Sequence, residues 1–139
     1  MLTENFNIEW SSSERYEVIE RIGGGRYSEV RAVPPRRVCT ALDHAMQVFK
    51  GIDMVNSEIC IIKVLKPVAP KKIKREIKIL RNLTGGANIV ALRDVVQDPS
   101  KRYHSLVMEY VENVEWKSLF SVLNELDIKY YMFQLLKVR

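Results

Sequence analysis

The chain has 139 residues, 47% of them hydrophobic and 28% charged, the balance of a folded domain rather than a disordered tail. No run approaches the ~18 consecutive apolar residues of a membrane span. The start, Met1-Leu2-Thr3-Glu4-Asn5, lacks the basic-then-apolar pattern of a secretory signal, so an intracellular location is expected. The net charge of +5 gathers at Lys63, Lys66, Lys71, Lys72, Lys74, Arg75 and Lys78, which fits either a solvated helix face or a patch that attracts polyanions.

Residues 1–15 are polar, with Phe6 and Trp10 as scattered anchors and a Ser11-Ser12-Ser13 turn. From Tyr16 to Ile22 apolar Tyr16, Val18 and Ile22 alternate with Glu17, Glu20 and Arg21, which predicts a half-buried strand. Gly23-Gly24-Gly25 breaks it, and a second strand is expected from about Tyr27. Between Arg31 and Val48 the pattern dissolves: Pro34 and Pro35 cannot continue a central strand, and Val38 to Gln47 has no period. This stretch reads as a loop or insert, with regular structure resuming at Phe49. Ser57 to Leu65 is rich in β-branched residues and predicts a buried strand.

Ile73, Ile77 and Leu80 predict a helix over 71–83, with Ile79 and Leu83 beside that face and Thr84-Gly85-Gly86 as its stop. Strands follow at 89–96 and 104–110, then a short helix at about 114–123. A last helix is expected to start at Asp127 and to turn Ile128, Tyr131, Met132 and Leu135 inward. Five strands interrupted by one helix predict an α+β fold, an antiparallel sheet packed on a helix. Cys39 and Cys60 have no ligand or redox spacing and read as free thiols, and isolated His44 and His104 suggest no metal site.

Four segments carry chemistry. Gly23-x-Gly25-x-x-Ser28-x-Val30 sits between two strands, where it is either a plain hairpin turn or a loop whose bare N–H groups cover phosphates. Lys63, inside apolar Ile61-Ile62-Lys63-Val64, is costly to bury unless an anion meets it. Glu76 is the sole acid on the following helix and can pair with Lys63, although a surface lysine and glutamate would read the same way. Leu106 to Asn113 runs from an apolar strand into a polar connector whose backbone could meet the edge of an adenine ring. Val30, Ile61, Val90, Met108 and Val111 could wall the ring's faces, or be ordinary core residues.

Together these segments resemble the amino-terminal lobe of eukaryotic protein kinases, and more closely the catalytic alpha subunits of casein kinase II. The closer likeness lies in Arg26-Tyr27-Ser28-Glu29-Val30, Lys63-Val64-Leu65-Lys66-Pro67-Val68, the run from Lys71 to Leu80, Asn82-Leu83-Thr84-Gly85-Gly86 and Asp127-Ile128-Lys129-Tyr130-Tyr131-Met132. It implies a kinase small lobe over 16–111 with an insert at about 31–48, then a hinge and the start of a large lobe over 112–139. It further implies ATP binding by Gly23, Gly25, Ser28, Val30, Ile61, Lys63, Glu76, Val90, Met108, Glu109, Val111 and Asn113, with Mg²⁺ in the complete enzyme. Acidic protein substrates or polyanions would meet Lys71, Lys72, Lys74, Arg75 and Lys78. A regulatory beta subunit would meet Val18, Phe49 and Val107 on the outer face of the sheet, and the enzyme would work in cytoplasm and nucleus. The 139 residues contain neither a His-Arg-Asp loop nor an Asp-x-Gly metal site, so little phosphoryl transfer is expected from them alone. The alternative is a non-catalytic module that binds the beta subunit or nucleotide. A nucleic-acid reading of the basic helix is weaker, because no aromatics interleave with its charges.

Overall fold

The computed structural model describes residues 7–24, 47–65, 70–99, 103–112 and 116–138. The strands are β1 (Ser11–Ser12), β2 (Tyr16–Gly24), β3 (Gln47–Asp53), β4 (Ile59–Val64), β5 (Leu92–Gln97) and β6 (His104–Glu109). The helices are α1 (Pro70–Leu83), α2 (Trp116–Phe120) and α3 (Glu125–Leu136). All six strands form one sheet in the order β1-β5-β6-β4-β3-β2. That is one strand more than the sequence predicts. The addition, β1, pairs parallel with β5, and every other pairing is antiparallel.

The two outermost strands of this sheet, β1 and β2, are joined by a single 3₁₀ turn, Ser13–Arg15. Such a turn advances only about 6 Å, so the sheet has to curl until its edges meet. Side chains tie the seam. The Tyr16 hydroxyl donates to Asp94 Oδ2 at 2.6 Å, and Ser11 Oγ donates to Asp94 Oδ1 at 2.8 Å. Arg15 grips both carboxylate oxygens of Asp53 at 2.9 and 2.7 Å.

Closure gives the sheet an inside. Alternate residues of β3 and β4 are buried, and Tyr16, Val18, Phe49, Cys60, Ile62, Val64, Val96 and Val107 fill the interior. Val18, Phe49 and Val107, expected to face a beta subunit, are 9%, 3% and 0% exposed and are core residues of this chain. A flat sheet would have presented them outward; the curl turns them in. Burial also pushes the Cys60 thiol up to about 11, so it stays protonated, an inert free thiol. Cys39 and His44 lie outside the described residues, among which no cluster of three metal-ligating side chains occurs.

Gly51 lies on β3 opposite Val18, where the space beside its backbone is filled. A Cβ there would come within 2.6 Å of Ile62 Cδ1 and 2.9 Å of the Glu17 carbonyl oxygen. Gly51→Ala is therefore expected to cost about 1–3 kcal/mol of stability, read as a lowered urea midpoint with an unchanged slope.

The Arg15 guanidinium, by its hydrogen bonds, holds the Asp53 carboxyl below the usual carboxylate range. A depressed folded value contributes stability that is full above the unfolded value of about 3.9 and is lost as pH falls through the folded one. Asp53→Asn should lower the melting temperature at neutral pH and flatten its decline below about pH 4, measured by thermal scans across pH.

On the outer face α1 lies across the sheet, with Ile73 and Ile77 packed on Leu65, Val95 and Leu106. Leu80 joins them, whereas Ile79 and Leu83 are 51% and 37% exposed. The helix ends as predicted, with Gly85 in the left-handed region at φ +91°.

Several boundaries differ from expectation. β2 runs on through Gly23 to Gly24, which pair with Val48 and Gln47, so the first two glycines extend the strand rather than break it. β3 begins at Gln47, not Phe49: Gln47 and Val48 pair with Gly24 and Gly23 and so belong to the sheet rather than to an insert. β5 begins at Leu92, three residues later than expected, and Arg93-Asp94 lies within it. α3 is capped by Asn124, while Asp127 is the residue whose carboxylate returns to the Asn124 N–H. Ile128, Tyr131, Met132 and Leu135 are each more than half exposed, and no residue of α3 is buried among the described residues. The strand expected from Tyr27 and the remainder of the insert lie outside them.

Candidate functional site

The outer face of the sheet, beside α1, holds a cavity of about 390 Å³ lined by Glu20, Ile22, Lys50, Ile61, Val90, Met108, Glu109, Tyr110 and Val111. Its floor is one row across three strands: Lys50 pairs with Ile61, and Ile61 with Met108. All three face outward because their strand neighbours face the closed interior.

Ile22 arrives by a different route. The β2 register slips between Val18 and Glu20 and again between Arg21 and Gly23, which leaves Ile19 and Ile22 as extra residues. Such bulges re-aim a side chain. Ile22, expected on the buried face with Tyr16 and Val18, is instead 50% exposed and walls the cavity.

The far wall is the connector that leaves β6. The Glu109 N–H donates to the Ala91 carbonyl at 3.0 Å, and Glu109 Oε1 accepts from the Ala91 N–H at 3.0 Å. This double clamp fixes Ala91 and so holds its neighbour Val90 in the cavity lining. Val90 and Val111 expose 44% and 53% of their surface. Apolar side chains exposed together around a cavity of ligand size mark a binding surface.

One row further along β4, on the same face, is Lys63. Its Nζ lies 2.8 Å from Glu76 Oε1 of α1, with the two side chains 24% and 40% exposed. Ile73 and Ile77 set this distance, because their burial fixes where α1 crosses the sheet. An ammonium has three donors, so one bond to Glu76 leaves two for another anion. The pairing predicted from sequence is thus present in the geometry.

Of the other predicted site residues, Ile61, Val90, Met108, Glu109 and Val111 come together in the cavity. Gly23 lies within β2, next to its last residue, and pairs with Val48. Gly25, Ser28, Val30 and Asn113 lie outside the described residues. Lys71, Lys72, Lys74 and Arg75 are exposed on α1, and Lys78 is partly buried. Sequence reasoning missed Glu20, Ile22, Lys50 and Tyr110. The inward positions Gln47, Phe49 and Gly51 carry a signal for Lys50, since period-2 alternation then turns residue 50 outward.

A family model for the protein kinase domain matches residues 16–138. The chain belongs to the protein kinase family. Its curled sheet with α1 is the kinase small lobe, and membership makes it part of an ATP-binding transferase acting on protein substrates. Kinases work by positioning ATP and its Mg²⁺ rather than by covalent chemistry from the protein. Within the kinase fold the lysine–glutamate pair between sheet and helix belongs to that positioning apparatus. No described helix is long and apolar enough to cross a membrane.

Proposed function

We propose that the chain is the ATP-binding portion of a serine/threonine kinase of the casein kinase II alpha type. The observation that carries this reading is the 2.8 Å Lys63–Glu76 pair one strand row beyond an apolar, ring-sized cavity. Adenine lies over the floor made by Ile61 and Met108, flanked by Ile22, Val90 and Val111. Its edge meets backbone groups of the connector from Glu109 to Val111, with Asn113 just beyond. Lys63, held straight by Glu76, takes the α- and β-phosphates, and Gly23, Gly25, Ser28 and Val30 fold over them.

When bound, Mg²⁺ neutralises charge on the phosphates during transfer. The groups that would hold it, and the catalytic base, are not among these 139 residues. The exposed cations Lys71, Lys72, Lys74 and Arg75, with Lys78 behind them, favour acidic sequences around the target serine or threonine and also bind polyanions. A beta subunit, if it docks, needs a surface other than buried Val18, Phe49 and Val107. Cytoplasm and nucleus are the proposed locations.

Thermal unfolding with Mg-ATP tests the reading. The melting temperature should rise steadily with the logarithm of ATP concentration, with no transfer to an acidic serine peptide. A midpoint unmoved at millimolar ATP contradicts nucleotide binding. Turnover that vanishes in Lys63→Met contradicts the expected inactivity.

A further inference from the structure

His104 has no part in the nucleotide site, yet it stands where three elements meet. It opens β6 on the face shared by Leu106 and Met108, the face on which α1 lies. Gln97 is its cross-strand partner at the end of β5. The Trp10 ring, from the segment before β1, lies against the imidazole with centroids 4.5 Å apart and a 48° tilt. Trp10 and Ile8 also pack against the cluster of Leu65, Ile73, Ile77, Val95 and Leu106 that holds α1. The segment is tethered just beyond Trp10, where Ser11 and Ser12 pair with Val96 and Gln97. Trp10 therefore straps His104 to the support of α1.

The imidazole is held neutral. Gln97 Nε2 lies 3.1 Å from His104 Nε2, and a primary amide nitrogen donates but does not accept. His104 Nε2 thus takes this bond with its lone pair, which leaves Nδ1 to carry the proton. A second proton would set a donor against a donor. The N-terminal segment turns Ile8 and Trp10 to this face, with Glu9 exposed, and α1 turns Ile73 and Ile77. Asp98 is then the one charged group acting on His104 among the described residues, and it favours protonation. The indole face favours a cation as well. Burial outweighs Asp98 and holds His104 below its ordinary value.

We propose that His104 is a proton switch on the N-terminal strap: its protonation releases Trp10 and loosens α1, and with α1 the Lys63–Glu76 pair. Once released, His104 has the ordinary value of about 6.5, whereas the packed value is lower. The open state therefore binds the proton first. Closure is full above about pH 6.5, declines as pH falls toward the packed value, and levels off below it. The switch works whether or not the cavity holds a ligand.

Hydrogen–deuterium exchange of the 139-residue chain, corrected for the intrinsic rate at each pH, reads the open population. A window from about pH 7.5 to 5.5 stays above the carboxylate range. Across it, protection of β1 and α1 should fall together, by up to about tenfold per pH unit for one proton, while β3 and β4 keep theirs. In His104→Gln, which does not titrate, protection should be independent of pH. Gln97→Glu keeps the histidine but gives its imidazolium an acceptor, so protection should stay level or rise as pH falls. His44→Gln should behave as the unaltered chain. If His104→Gln folds poorly, the contrast of Gln97→Glu with His44→Gln decides alone. A fall that survives in His104→Gln or in Gln97→Glu overturns the switch. So does the absence of any fall, or a fall confined to β1 with α1 unmoved.

Discussion

Ile77→Ala is expected to lower the free energy of unfolding by about 2–5 kcal/mol. Ile77 is 0% exposed and meets Leu65, Ile73, Val95 and Leu106 at the sole cluster that holds α1 to the outer face of the sheet among the described residues. Truncation removes the burial of several carbon atoms and leaves a cavity that flanking strands, closed into a curl, cannot collapse to fill. The substitution also has a functional arm. Glu76 is the preceding residue on the helix, so a loosened α1 carries it away from Lys63 and nucleotide affinity falls as well. Ile77→Val, which removes one methylene, should cost only about 0.5–1.5 kcal/mol and spare the ion pair. Urea unfolding monitored by circular dichroism, with nucleotide titration at a temperature where each variant is folded, separates the two arms.

Lys63→Met should weaken ATP binding by about ten- to a hundredfold and leave adenosine binding unchanged. Hydrogen bonds to charged groups contribute about 1.5–3 kcal/mol each, and the Lys63 ammonium has donors beyond the one used by Glu76. Methionine keeps most of the side chain's length and apolar contact, so the loss falls on the phosphates and not on the ring pocket. Glu76→Gln should act in the same direction but less, since an amide still accepts a hydrogen bond from Lys63 while giving up the charge. Competition against a fluorescent nucleotide, run with ATP and adenosine on each variant, reads both effects. Equal losses for ATP and adenosine would place Lys63 in general folding rather than at the phosphates.

Much of the fold was legible because it rests on local periodicity. Ile73, Ile77 and Leu80 announce α1, and β-branched Ile59 to Val64 announces β4. What escaped is non-local. β1 has two residues and thus no period to read, although it brings the sheet edges together. Without that closure Phe49 and Val107 look like an outer face, whereas they fill the interior. The β2 bulges are likewise invisible in a strict alternation, so Ile22 was assigned to the wrong side. In α3 the apolar residues predict an inward face, yet among the described residues nothing buries them.

The site follows the same division. Lys63 and Glu76 were readable because each is a polar residue out of character with its surroundings, an isolated lysine in an apolar strand and a lone acid in a basic helix. Val90, Met108 and Val111 were placed by the connector that follows an apolar strand. Lys50 was lost because its strand begins two residues earlier than the aperiodic stretch before it suggests. Tyr110 stands in the connector itself, but only the geometry reveals that Lys50 rests on its ring.

The central claim is that the cavity and the Lys63–Glu76 pair form one nucleotide site. Calorimetric titration of the 139-residue chain with ATP and with adenosine, each for the unaltered protein and for Lys63→Met, tests it most directly. The account predicts one saturable site at which ATP binds more tightly than adenosine, with that advantage disappearing in Lys63→Met. An ATP advantage that survives the substitution, or the absence of any saturable ATP binding, would contradict it.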